Sequence, residues 1–260
     1  MTAVALRHSA YLTTRSLRTL IRQPAFAVAT LVQPIIWLLL FGALFQSVVE
    51  IPGFESGVTY LEFLTPGVIV MTALFSSGWA GTVYIEDMNR GVMDRLLASP
   101  VRRGAMMVGT LAYQGVTTIV QTVTVLVIAV IAGASFPGGA EGVLITIVAA
   151  VLISVIMASL SNALALLLRQ QEALIGISQF IVLPLQFLSS AIMDLSVAPQ
   201  WIQDVARCNP VNWAVVASRE ALSASPDWSE VWTRLGLLAV LAGVMAWLAT
   251  RAFGTYQRSL

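Results

Sequence analysis

Long apolar runs follow one another along this chain with short polar interruptions between them. They occupy residues 25–49, 64–84, 106–132, 143–168, 173–193 and 232–253. A helix needs roughly 20 apolar residues to cross a bilayer core, and inside lipid the backbone must satisfy its own polar groups. The pattern therefore predicts six membrane-spanning helices. Gln33-Pro34 interrupts the first run, Phe136-Pro137-Gly138-Gly139 reads as a tight turn after the third, and Arg169-Gln170-Gln171-Glu172 as a short turn after the fourth.

Three stretches between or before the runs carry their own periodicity. In residues 1–23, Arg7, Arg15, Arg18 and Arg22 recur at helical spacing, with Leu6, Ala10, Leu17, Leu20 and Ile21 on a different side and Pro24 closing the segment. That predicts an amphipathic helix lying in the membrane interface. A secretory signal also places basic residues before an apolar run, but the run here is too long and the cationic segment too periodic. In residues 194–230, Pro199 opens a short helix with Trp201, Ile202, Val205 and Ala206 on its apolar face, and Asn209-Pro210 ends it. A second helix is expected over 212–222. Both are expected to dip into the outer leaflet as re-entrant helices, with Trp201, Trp213 and Trp228 at the interface; an ordinary outer loop is the alternative.

The third stretch, residues 85–104, is a charged island. Val92, Met93, Leu96 and Leu97 form one stripe of a short helix, Glu86 and Arg90 are four apart, as are Arg90 and Asp94, and Pro100 stops the helix just beyond Ser99. A solvated connector would carry the charges as well. It would not need the apolar stripe, which must bury against something.

Composition narrows the functional classes. The chain has 260 residues, 58% of them hydrophobic and 10% charged, with a mean hydropathy of +0.85. No soluble domain is that apolar. All 14 basic residues are Arg, and a chain without Lys cannot carry the standard phosphate-binding loop whose Lys reaches the nucleotide phosphates. If ATP drives this protein, a partner binds it. The single Cys208 excludes an internal disulfide and a Cys-based metal cluster, and the one histidine, His8, lies in the N-terminal arm, which argues against a His-dependent triad and leaves no multi-His metal site. Carboxylates at Glu62, Glu86, Glu172 and Asp194 fall only at span ends, which argues against an ion-coupled secondary transporter; an intramembrane protease or a channel filter finds no motif either. A net charge of +1 gives no signal for nucleic acid.

Arg placement sets the expected orientation. Arg7, Arg15, Arg18, Arg22, Arg90, Arg95, Arg102, Arg103, Arg169, Arg251 and Arg258 fall on one side of the six spans, and Arg207, Arg219 and Arg234 on the other. The Arg-rich side is expected to be cytoplasmic, and an even number of spans puts both termini there.

At ED-x-x-x-G-x-x-x-RLLASP-x-x-R, with Glu86, Asp87, Gly91, Asp94, Arg95, Leu96, Leu97, Ala98, Ser99, Pro100 and Arg103 at the matching positions, the chain resembles the cytoplasmic coupling loop of ABC exporter permeases of the second type. That is the class of the daunorubicin-resistance and polysaccharide exporters. Pro199, Trp201, Ile202, Gln203, Asn209, Pro210 and Arg219 resemble a P-x-W-[IL]-Q…NP…R segment before the last span of the same family, so the resemblance covers most of the chain.

The resemblance implies an all-α polytopic permease of one domain over 1–260. It comprises a cytoplasmic amphipathic helix (1–23), a coupling loop (85–104), outer re-entrant helices (194–230) and six spans. It implies export of amphiphilic drug-like or lipidic molecules, with an ion-coupled transporter or a polysaccharide or lipid-linked glycan exporter as the alternatives. The chain is then no enzyme and holds no cofactor; two copies of a separate ATPase bind ATP and Mg. A second copy of the permease, or a paralogue, completes the path in a bacterial plasma membrane. Glu86, Asp87, Arg90, Gly91, Val92, Met93, Asp94, Arg95, Leu96, Leu97 and Pro100 are the expected ATPase-coupling residues. Pro199, Trp201, Asn209, Pro210, Trp213 and Arg219 form the expected outer re-entrant site.

Amides inside the spans have two readings. Gln114 and Gln121 are seven apart, as are Gln179 and Gln186, so each pair lies on one helix face. Interhelical glue is expected for the first pair. For the second, the resemblance places the fifth span near a dimer centre, so Gln179, Phe180, Gln186 and Phe187 are the expected substrate path, with Pro184 permitting a bend.

Overall fold

The computed structural model describes residues 24–45, 59–93 and 103–256. The expected interfacial helix over 1–23 lies outside them, as do Asp94, Arg95, Leu96, Leu97 and Pro100 of the charged island. The described chain is helical throughout: α1 (Pro24–Leu44), α2 (Tyr60–Gly78), α3 (Thr82–Asn89), α4 (Arg103–Ile131), α5 (Gly139–Leu168), α6 (Gln171–Phe187), α7 (Gln200–Arg207), α8 (Pro210–Leu222) and α9 (Trp228–Tyr256).

Six spans are not what the structure contains. Among the described residues, four helical stretches are long and apolar enough to cross a bilayer: Tyr60–Asn89, Met106–Ile131, Gly139–Leu168 and Trp228–Ala252. Over the first expected span α1 is helical from Pro24 to Leu44, and Leu31–Leu44 is its apolar stretch among the described side chains. The fifth, expected over 173–193, is cut short because α6 has only 17 residues and leaves helical geometry after Phe187. Pro184 lies inside its last turn, where its ring removes one backbone donor, and residues 188–194 continue as an irregular turn.

The accessory helices need correction too. No coupling helix is seen among the described residues: α3 ends at Asn89, Gly91 turns the chain at φ 64°, and helical backbone resumes only at Val92 and Met93 before the described stretch ends. Nor do α7 and α8 form a re-entrant pair. α7 buries only Ala206, whereas α8 buries Val211, Ala214, Val215, Ala217 and Ala221 and packs on α2, α5 and α9 as part of the core. Its small residues let it approach those helices closely.

α5 is the centre of the bundle, in contact with α2, α3, α4, α6, α8 and α9. Its run is apolar on every face, which suits a helix surrounded by others. Ser154, Ser159, Ser161 and Asn162 are buried along it. The main core runs from Tyr60 and Phe63 past Leu74, Ala149 and Ile153 to Val215 and Leu238. A second, smaller core joins Tyr84, Ile85 and Met93 to Met106, Met107, Leu166, Leu174 and Ala249. It closes the end of the bundle where α3, α5 and α9 finish and α4 and α6 begin. At the opposite end α1 returns to α2 through stacked and tilted rings of Phe41, Phe45, Tyr60 and Phe63.

Candidate functional site

The stretch Tyr60–Asn89 is one span broken in the middle. After Gly78 the regular ladder is lost: Ala80 N donates to Ser77 O at 3.1 Å and Thr82 N to Trp79 O at 3.0 Å, tighter turns than an α-helix makes. Thr82 N would otherwise serve the Gly78 carbonyl, which is left inside the protein with no helical donor. Two hydroxyls from other helices serve it instead. Ser161 Oγ on α5 donates to Gly78 O at 2.7 Å, and Ser178 Oγ on α6 donates to the same oxygen at 2.9 Å. Ser161 Oγ also accepts from Gly81 N at 3.0 Å. The chain is so close to α5 here that a Cβ on Gly81 would collide with the carbonyl oxygen of Ser161 and stand 2.8 Å from Ala165 Cβ.

Beyond this break α3 carries the first of the charged residues outward. Glu86 and Arg90 are exposed and their charges meet at 3.6 Å, while Asp87 is half-buried. Tyr84 and Ile85 face inward; Tyr84 Oη lies 3.0 Å from Thr110 Oγ1 on α4. Val92 is half-buried, and Met93 is 1% exposed within the second core. Met93 therefore packs inside this chain. Of the expected stripe, Leu96 and Leu97 lie outside the described residues.

At the opposite end, the residues expected to form the outer site clamp the turn after α6. Asn209 is buried; its Nδ2 donates to Leu185 O at 2.6 Å and Leu188 O at 2.7 Å, and its Oδ1 accepts from Val211 N at 2.9 Å. One side chain thus serves carbonyls at the end of α6 and caps α8, with Pro210 at the first position of α8, where its missing N–H costs nothing. Asn212 Oδ1 accepts from Ser190 N at 3.0 Å. Arg219 Nη2 donates to Ser190 O at 2.8 Å and Phe63 O at 3.2 Å, and its guanidinium carbon stands 3.7 Å from the Phe63 ring centre. Tyr60 Oη donates to Ile192 O at 3.0 Å. Trp213 Nε1 donates to Arg207 O at 2.6 Å; Trp201 and Pro199 are exposed. Asn209, Pro210, Trp213 and Arg219 are brought together, then, while Trp201 and Pro199 stay at the surface of α7.

The expected substrate path divides. Phe180 and Phe187 are 79% and 65% exposed, whereas Gln186 is 2% exposed and Gln179 is half-buried. Gln186 Oε1 has no hydrogen-bond partner among the described residues. On α4 the picture is different: Gln114 Nε2 donates to Ser76 Oγ at 3.1 Å, and Ser76 Oγ donates to Gln121 Oε1 at 3.1 Å. This ladder ties α4 to α2. Ser76, Ser161 and Ser178 were missed in sequence because a small hydroxyl in an apolar run carries no periodic signal, and its partner is a backbone group on another helix.

Among the described residues no group of three or more His, Cys, Asp or Glu is placed to hold a metal ion. Broken spans, clamped turns and lipid-length helices around a central α5 define a multi-pass helical membrane protein. The chain belongs to the ABC-2 type transporter family, whose description matches residues 8–222. The DrrB1 protein of Streptomyces coeruleorubidus, a daunorubicin resistance ABC transporter permease, is 26% identical over 230 residues, covering 88% of this chain and 80% of the relative. A ycf38 protein of Cyanophora paradoxa, named as a transport permease, is 30% identical over 206 residues, 78% of this chain and 70% of its own. DrrC of Mycobacterium tuberculosis, named as a doxorubicin resistance ABC transporter permease, is 23% identical over 247 residues, 95% of this chain and 87% of its own. Family membership makes this chain a membrane permease subunit, a transport component and not an enzyme.

Proposed function

We propose that this chain is the membrane subunit of an exporter that moves amphiphilic drug-like or lipidic molecules out of a bacterial cell, driven by a separate ATPase. Two ATPase copies bind ATP and Mg, and a second copy of the permease, or a paralogue, completes the path. The observation that carries this reading is the delivery of the charged segment by the broken span: α3 ends in the exposed Glu86–Arg90 pair while Tyr84, Ile85 and Met93 anchor its root in the second core. A segment held that way transmits a push into the bundle. The total lack of Lys assigns nucleotide binding to the partner.

Arg90, Arg169 and Arg251 fall in the chain next to residues of the second core, at the end of the bundle it closes, and Arg207, Arg219 and Arg234 lie toward the other, which supports a cytoplasmic position for the charged segment and for both termini. For the path, the exposed rings of Phe180 and Phe187 beside Gln179 offer an aromatic and amide face to an amphiphile. The relatives named for daunorubicin and doxorubicin resistance favour such cargo.

The docking face is assigned to Leu96 and Leu97 with Val92, flanked by Glu86, Asp87, Arg90, Gly91, Asp94, Arg95 and Pro100. A charge introduced there must be desolvated unpaired, which costs a few kcal/mol. Leu96→Asp is therefore expected to release the ATPase and abolish export while the permease remains inserted. Arg90→Ala removes an exposed pair worth about 0.3 to 0.5 kcal/mol and is expected to leave binding nearly intact. Co-purification of the ATPase with each variant checks both. A Leu96→Asp variant that keeps its partner and its export makes this segment a connector.

A further inference from the structure

Helix breaks in a membrane protein leave backbone groups that something must satisfy, and the choice of what satisfies them decides which helices move together. The break after Gly78 is bound to two helices at once. Its buried carbonyl, freed from the helix ladder, is shared by Ser161 of α5 and Ser178 of α6, at 2.7 and 2.9 Å, and Ser161 returns the contact by accepting from Gly81 N at 3.0 Å. Both side chains and both glycines involved are buried, so water does not compete for these bonds. The sterics point the same way, since the Gly81 backbone abuts the Ser161 carbonyl. α4 also holds α3, through Tyr84 Oη 3.0 Å from Thr110 Oγ1, but that contact lies beyond the break, at α3 itself.

We propose that Ser161 and Ser178 are positioning residues for energy coupling: they lock the hinge at 79–81 to α5 and α6, so that displacement of the charged segment is delivered to both helices. This rests on the exporter reading, because it presumes that an ATPase pushes on that segment. α6 is the helix whose Phe180 and Phe187 face outward, and Ser178 lies on the opposite, buried side of the same helix. The hydroxyl pair is therefore the link through which a push at Glu86–Arg90 reaches the cargo side of the molecule. Ser161 alone would move α5, the centre of the bundle; Ser178 makes α6 move with it.

The test compares the wild-type permease, Ser161→Ala/Ser178→Ala and Ser178→Thr, each in complex with its ATPase in lipid nanodiscs or proteoliposomes. Three quantities are read: ATPase retained per permease, ATP hydrolysed, and daunorubicin exported per ATP. The double alanine variant is expected to retain the ATPase and hydrolyse ATP within about twofold of wild type, while export per ATP falls roughly tenfold, the scale set by losing buried hydrogen bonds to one carbonyl. Ser178→Thr keeps a hydroxyl at the same place and is expected to retain export per ATP near the wild-type level. In the full-length permease alone, amide exchange in the peptide covering 78–84 is expected to accelerate by about tenfold in the double variant, since the Gly81 amide loses its acceptor. The coupling role is overturned if export per ATP is unchanged, or if hydrolysis, retention and export fall together in step with folded yield. If the wild-type chain neither retains an ATPase nor exports, the exporter reading falls and takes the coupling role with it; the exchange data then still judge the hinge itself.

Discussion

Asn209 donates to the carbonyls of Leu185 and Leu188 and accepts from Val211 N, so one amide closes the end of α6 and opens α8. Asn209→Ala leaves two buried carbonyls and a helix N-terminus without that partner, for an expected loss of about 2 to 4 kcal/mol. Asn209→Asp keeps the capping oxygen but turns a second oxygen toward two carbonyls, so it is expected to destabilise at least as much as alanine. Thermal unfolding of the three purified proteins in one detergent checks the order; an aspartate variant as stable as wild type contradicts the assigned donor. In the sequence, Asn209-Pro210 is legible as a helix boundary from local chemistry. Its reach to Leu185 is not, because that partner is a backbone group with no residue signature. Met93 teaches the same point in reverse: its spacing fits an outward stripe, and only tertiary packing buries it at 1% exposure.

Helices were legible as apolar runs, but the run length overstated the number of spans. Runs at 25–49 and 173–193 are apolar enough, yet α6 stops at Phe187 because the following turn finds side chains to satisfy its backbone. Hydropathy counts residues and is blind to where hydrogen bonding leaves the helix. Close approach is equally invisible to it: a Cβ at Gly67 would run into the carbonyl oxygen of Ala191, where α2 meets the turn after α6, while Gly236 on α9 has open space around it. Gly67→Ala is expected to destabilise by about 3 kcal/mol, whereas Gly236→Ala is expected to be neutral or to stabilise by up to about 1 kcal/mol. Equal melting temperatures for the two variants would contradict the packing described. Interhelical glue was read correctly from the spacing of Gln114 and Gln121, although Ser76 between them was not foreseen. A double-mutant cycle of Gln114→Leu with Ser76→Ala is expected to give a coupling of about 0.6 kcal/mol with cargo preference unchanged.

The molecule as a whole is a membrane permease subunit, and in the exporter proposed above its energy source is a separate chain. Family membership and the membrane bundle follow from matched residues and helix lengths; the proposed drive rests on a sequence with no Lys for a phosphate-binding loop and with its carboxylates at span ends. Those absences were readable from composition alone, which is why the class of protein was clearer in the sequence than the number of its spans. What couples the drive to the bundle, a carbonyl shared by Ser161 and Ser178, needed three dimensions. Daunorubicin flux across proteoliposomes holding this permease, with and without its ATPase, separates the possible drives directly. The exporter reading predicts flux only when permease, ATPase and ATP are all present, unaffected by collapsing proton and sodium gradients. Flux by the permease alone in response to either gradient would contradict it.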